Sequence, residues 1–194
     1  EVGLQIGSSV RNIGPTLTGG KLQGLYSYRD TILLPTMRSI DQIALSLTND
    51  VNNLHQKGMD LNNSLGANLF NDINTDTVQK QRVLANSTNA GTGALSVSIT
   101  DTTAIKGDEY KLEFSSETTY KLTNQTTGAV ATSGNLGGLP DTISIDGFTI
   151  NVTSGNVKSG DNYTISPTRG AATNLSLQIN DVKNIAIATP ISTQ

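Results

Sequence analysis

His55 is the only histidine in the chain, and cysteine is absent. No two-histidine metal site and no thiolate zinc site can therefore be assembled, and any Ser-His-Asp arrangement would depend on this single imidazole. His55 follows Leu54 near the expected end of a long helix, a setting that predicts a packed or hydrogen-bonded structural histidine rather than a general base. Asp72, Asn74 and Asp76 in DINTD copy the first three ligands of a calcium loop. Thr77 stands where the sharp turn needs glycine and Val83 where the bidentate glutamate belongs, so the stretch reads as a polar linker. GPTLTGGKL at 14–22 approaches a phosphate loop, but an extra residue separates the glycines from Lys21 and Leu22 replaces the magnesium-binding hydroxyl, which leaves a flexible lead-in to a helix. Asp108 and Glu109 fall at a turn with no cleft implied around them, and neither GxSxG nor HExxH occurs. The Asn-x-Ser/Thr triplets at Asn86, Asn151 and Asn162 are expected by chance in so Asn- and Thr-rich a chain. No catalytic, cofactor-binding or metal-ligating residue is assigned, and the chain is not read as an enzyme.

Whatever these residues do, they must be carried by elements that can fold. The 194 residues suffice for one large or two small domains, and the start at Glu1 suggests a piece of something longer. Aromatics are only 4% of residues, so the core must be built from Leu, Ile, Val and Ala. A net charge of -3 without a run of like charges argues against nucleic acid and against a polybasic membrane anchor. No apolar run approaches the ~18 residues of a membrane span. Abundant Ser, Thr, Asn and Gly at low charge is a composition often met in secreted surface and appendage proteins.

The organising element is a helix expected over about 22–57. Met37, Ile40, Ala44, Leu47, Val51 and Leu54 are spaced alternately by three and four residues, the a/d seam of a coiled-coil-like helix. Before Pro35 the stripe is Leu22, Leu25, Ile32 and Leu33, interrupted by Arg29, so its phase slips at the proline and a kink or break is expected after Leu34. Such a helix is a rod of roughly 50 Å. Ile43 and Leu45 point to flanks that one neighbour would leave exposed, Thr48 lies off the seam, and the turn over 61–70 can cover only the end of the stripe. More than one partner is therefore expected, and the seam is the candidate interaction site.

Gly58 reads as a helix stop, and the texture then changes to short strands expected at 95–100, 110–115, 119–123, 128–132, 142–145, 148–152, 162–166 and 175–179. Val2, Leu4 and Ile6 form the tail of another strand, with a loop over 7–20. Asp146-Gly147 between alternating apolar residues is the strongest hairpin signal. LSVSITD at 95–101 is echoed by LSLQIND at 175–181, and GDEYKL at 107–112 by GDNYTI at 160–165, as in a module entered and left by the same device. Asp101 and Asp181 read as caps of the turns that follow them. The expected organisation is α+β: a helical rod domain over 1–77, and an inserted antiparallel β-rich domain over 78–194 reached through a linker at 77–89.

Between Leu17 and about Ile185, GGKLQGL at 19–25 with Arg29 and Asp30, and Pro35 with Ile40, Gln42, Ile43 and Ala44, give the chain a resemblance to the hook-associated protein 1 family of bacterial flagella. Val51, Asn52, His55, Gly58, Asp60, Leu61 and Gly66 through Leu69 and Phe70 continue it, followed by VLANS at 83–87, SITD at 98–101, DEY at 108–110, DNY at 161–163 and Ile185 with Ala186. Asn63 stands where the family usually has glycine. The resemblance implies a structural protein, exported unfolded by the flagellar secretion apparatus, that self-assembles outside the cell as a ring of subunits joining hook to filament. It implies as partners its own subunits, the hook protein, the neighbouring junction protein and an export chaperone that binds a C-terminal region beyond this chain. The long terminal helices of the family are absent, so the chain looks like a core fragment. The competing reading from residues alone is a β-rich surface adhesin or carbohydrate-binding module on a helical stalk, which would want an aromatic platform.

Overall fold

Backbone contacts divide the chain into two units, Glu1–Ser39 and Ile40–Gln194. The structure, a computed structural model, describes residues 3–6, 9–12 and 18–189.

The first unit opens with an antiparallel pair, β1 (Gly3–Ile6) and β2 (Ser9–Asn12), in register from Gly3 opposite Asn12 to Ile6 opposite Ser9. The loop expected over 7–20 thus contains a strand, because SVRN pairs through its backbone although it shows no apolar alternation. Residues 14–17 of the phosphate-loop look-alike, and Val2, lie outside the described residues. Helix α1 (Gly20–Tyr28) follows, then a π-helical segment Arg29–Leu33, then α2 (Leu34–His55). The expected break before Pro35 is instead a widened turn: the Leu34 N–H reaches back five residues to Arg29 O. Proline cannot donate to the carbonyl four residues before it, and wider bonding accommodates that loss without ending the helix.

In the second unit, α2 from Ile40 onward is followed by turns over 56–75. Then come α3 (Asp76–Gln81), β3 (Val83–Ala85), β4 (Ala94–Ile99), β5 (Tyr110–Phe114), β6 (Thr119–Asn124), β7 (Val130–Asn135), β8 (Asp141–Ile145), β9 (Phe148–Ser154) and β10 (Asn162–Ile165). A five-stranded sheet, β3-β10-β5-β6-β7, faces a three-stranded sheet, β4-β9-β8, with every pair antiparallel. Strict alternation on β5, β9 and β10 turns Tyr110, Leu112, Phe114, Phe148, Ile150, Val152, Tyr163 and Ile165 inward, and these residues fill the space between the sheets. The β8–β9 hairpin turns on Asp146 and Gly147, at φ 41° and 80°, the left-handed pair that a two-residue hairpin loop requires.

Two expectations fail here. The supposed linker at 77–89 holds α3, which buries Val78, and β3, which pairs with β10. The strand expected at 175–179 is reduced to one bridge, Phe70 opposite Leu177, and Leu177 is exposed. An alternating pattern is not enough without a sheet edge to receive it. The second echo does mark equivalent entries, since GDEYKL leads into β5 and GDNYTI into β10, and the two strands pair. After α4 (Ala171–Asn174) the chain runs back past residues 59–71, where Gln178 N–H bonds Leu69 O and Met59 pairs with Ala188. The sandwich is thereby an insertion between two segments that lie side by side.

Candidate functional site

Within the second unit, helix α2 meets the sandwich through one apolar side chain and a row of polar ones. Leu45, 1% exposed, joins the buried core cluster of the sandwich. One turn back, the Asp41 carboxylate accepts the N–H groups of Gly170 and Ala172 at 3.3 and 2.9 Å, capping α4 from a distance. Gln42 Nε2 donates to Ile105 O at 2.8 Å, and Asn49 Nδ2 donates to Thr102 Oγ1 at 3.1 Å. Asn52 holds the backbone of Phe70 by both groups, donating to its carbonyl at 3.1 Å and accepting its N–H at 2.8 Å. At the helix end His55 Nε2 accepts the Ala186 N–H at 2.9 Å, which leaves the proton on Nδ1, 2.6 Å from Ala67 O. Nearly every partner is a backbone group of an irregular segment with no ladder neighbour, so these side chains supply bonds that the turns cannot make for themselves. His55 is thus the structural residue that its position predicted.

The last turn leaves no room beside it. A Cβ on Gly58 would strike the Ala186 carbonyl, and one on Gly66 would strike the His55 carbonyl, so both glycines are set by close approach. Gly58 lies three residues beyond the helix end at His55, and what requires glycine there is this close approach. Asn63 sits at φ 60°, the left-handed region that favours glycine and tolerates Asn. Asp60 Oδ1 accepts from the N–H groups of Asn62 and Ser64, both at 2.8 Å, and shapes that turn. Held this way, Leu61 and Leu65 are exposed and do not pack back on the helix as expected.

The opposite side of α2 carries the apolar seam. Ile40, Leu47 and Leu54 are 53%, 48% and 73% exposed, Ile43 is exposed beside them, Val51 is half-buried, and of the seam only Ala44 is buried. The buried stripe of the helix is Ala44, Leu45, Thr48, Asn52 and His55, displaced by one residue from the seam. Leu45 is therefore the anchor and not an exposed flank, and Thr48 belongs to the packed face, its Oγ1 donating to Ala44 O at 2.7 Å. Polar side chains were chosen for the inward face because their targets are backbone groups. Val51, Leu54, Leu69, Ile185 and Ile187 line an open apolar groove of about 450 Å³ at the end of the seam. In the first unit, Leu22, Leu25, Tyr28, Ile32, Leu33 and the seam residue Met37 are also exposed, and Arg29 stacks over Tyr26 at 4.4 Å while bonding Asp30 at 2.7 Å.

The calcium look-alike is built for another purpose. Asp72 Oδ1 accepts the Asn74 N–H at 2.8 Å, and Asn74 bonds both the N–H and the carbonyl of Ile99 at 2.8 Å, stitching the entry loop to β4. Arg82, fully buried, donates to Ile73 O at 2.6 Å, Val97 O at 3.0 Å and Asn74 Oδ1 at 3.2 Å. Burial pushes its guanidinium down to about 10, so it remains charged at neutral pH. Asp101 and Asp181 accept the N–H groups of Thr103 and Lys183, both at 2.9 Å, as caps do. No group of three or more His, Cys, Asp or Glu side chains among the described residues could hold a metal, and no described helix is long and apolar enough to cross a membrane. Sequence reasoning missed Asp41, Asn52 and Arg82 as contacts. The spacing of Thr48, Asn52 and His55, which runs parallel to the seam one residue on, was the available signal for the packed face.

Residues 1–70 match the family model for the flagellar hook-associated protein FlgK helical domain, and residues 84–167 match that for the flagellar hook-associated protein 1 D2-like domain. The chain is 28% identical to flagellar hook-associated protein 1 of Escherichia coli K12 and 26% identical to that of Salmonella typhimurium, over 89% of its own length and 30% of theirs. It therefore spans less than a third of the curated relatives. It superimposes on the flagellar hook junction protein FlgK of Burkholderia pseudomallei with a TM-score of 0.80 at 31% identity, covering 94% of this chain and 32% of that one. Two family models that together span most of the chain, with the sequence and structural matches, leave one assignment: the chain belongs to the flagellar hook-associated protein 1 family.

Proposed function

We propose that this chain is the helical and first β-rich part of a structural junction protein that joins hook to filament, and that the seam at Met37, Ile40, Ala44, Leu47, Val51 and Leu54 is a helix-packing face in that assembly. The observation that carries the reading is the inversion of α2: its polar stripe is consumed by the turns and loops beside the sandwich while most of its heptad-spaced apolar stripe is left to solvent. Each large aliphatic side chain left exposed forgoes about 1.5–3 kcal/mol of burial, and contiguous exposed apolar surface of this kind marks an interaction face. The partners proposed are helices from the remainder of the same protein and its own subunits in a ring, with the hook protein and the neighbouring junction protein at the two ends. An export chaperone for the C-terminal region, export through the flagellar secretion apparatus and a final place outside the cell belong to the same proposal. As assembly domains we propose 1–77 for the rod and 78–194 for the β-rich module, although residues 40–77 pack with the module as one compact unit.

The adhesin or carbohydrate-binding alternative has no support, because four of the five rings of the β-rich module, Tyr110, Phe114, Phe148 and Tyr163, are buried in its core. The test is complementation with the full-length protein carrying Ile40→Asp and Leu47→Asp together, against Asn53→Asp as an exposed control off the seam. Junctions and filaments are expected to be lost with the double variant and kept with the control. Normal filaments on the double variant would refute the seam.

A further inference from the structure

Where α2, the entry loop, α3 and the exit segment converge, the second unit has a small cavity of about 20 Å³ lined by Leu45, Thr48, Asn71, Val78, Arg82 and Leu175, among others. Two of its lining residues carry buried polar atoms without a protein partner, Arg82 Nε and Asn71 Oδ1. The other nitrogens of Arg82 are engaged by Ile73, Val97 and Asn74, and Asn71 Nδ2 is engaged by Asn174 O at 3.1 Å and Ser176 Oγ at 2.5 Å. What remains is one donor and one acceptor on two residues that line the same small space. A cavity needs roughly 10–15 Å³ and two to four polar partners to hold a water, and buried groups of this kind are bonded almost without exception.

We infer that this cavity is a binding site for a single structural water, which accepts from Arg82 Nε–H and donates to Asn71 Oδ1. Thr48 Oγ1, whose proton is given to Ala44 O, keeps a lone pair for the second water proton. The charges select the ligand. An anion would meet the Asn71 carbonyl oxygen, a cation would meet the guanidinium, and only a neutral molecule that both gives and takes a hydrogen bond suits both ends. Asn71 and Asp72 also line an open groove of about 960 Å³. The water would link helix, entry and exit, and the inference does not depend on the seam or on the proposed assembly.

A crystal structure of the 194-residue chain, at a resolution that shows ordered solvent, tests it. One peak roughly 2.7–3.2 Å from both Arg82 Nε and Asn71 Oδ1 is expected, and it should vanish in Asn71→Leu, which removes the acceptor. An empty cavity, a bound ion, or the Asp72 carboxylate turned in to bond Arg82 Nε would overturn the proposal. The wild-type crystal decides this even if the variant does not fold.

Discussion

The sandwich and the helix that lies on it follow opposite rules. In β5, β9 and β10 the apolar residues of each alternating strand face inward and the polar ones face water. In α2 from Ile40 onward, the inward face is mostly polar and most of the large apolar residues face water. The difference teaches what each surface is for. A strand has its backbone bonds from its neighbours and contributes apolar area to a core. The inner face of α2 meets turns whose backbone groups need partners, and it contributes hydrogen bonds. The outer face is free to be selected for something else.

That contrast is broken most forcefully in the sandwich. Phe148→Ala should cost about 3–5 kcal/mol, because the ring is buried among both sheets and lies 5.2 Å from Tyr110. Chemical denaturation should show the midpoint falling steeply, and a loss below about 1 kcal/mol would mean that the sheets do not share one core. Leu45→Ala comes next, at about 2–4 kcal/mol, since it is the one large apolar group of α2 sunk in that core. An unchanged midpoint would detach the helix from the sandwich. Asn52→Ala leaves the Phe70 N–H and carbonyl without their partner and should cost about 1–3 kcal/mol. Amide exchange at Phe70 should accelerate, and protection equal to wild type would show that the polar stripe holds nothing.

Asp161 extends the same logic into the sandwich edge. Burial pushes its carboxyl up, but the N–H groups of Lys158, Ala90 and Gly91 outweigh that and hold it below the usual range. A depressed folded value contributes stability that is present above the unfolded value of about 3.9 and is lost as pH falls through the folded one. Stability should therefore decline below about pH 4, and Asp161→Asn should flatten that decline while lowering stability at neutral pH. An identical acid limb in the variant would remove Asp161 as its source.

Period carried most of what the sequence revealed. Alternation located β4, β5, β6, β8, β9 and β10, and the Asp146-Gly147 pair located the hairpin, because each strand has its own apolar signature. β3 and α3 were illegible, being three and six residues long in a stretch of loop composition, and they are held by Arg82 and by pairing with β10. The strand read at 175–179 failed for the converse reason, a pattern without a receiving edge. On α2 the seam was legible as spacing, but its direction was not. Apolar spacing says that a face is buried somewhere, and only the positions of the Phe70, Ala186 and Ala172 backbone groups reveal that the sandwich takes the other face.

Neighbouring residues on α2 give the most direct test of that inversion. Thermal melting of the 194-residue chain carrying Leu45→Asp should be compared with the same chain carrying Leu47→Asp. The account predicts a collapse of Tm or loss of folding for Leu45→Asp, and a change within about 0.5 kcal/mol for Leu47→Asp, as for an exposed site. Equal losses in the two variants, or a larger loss at Leu47, would contradict it.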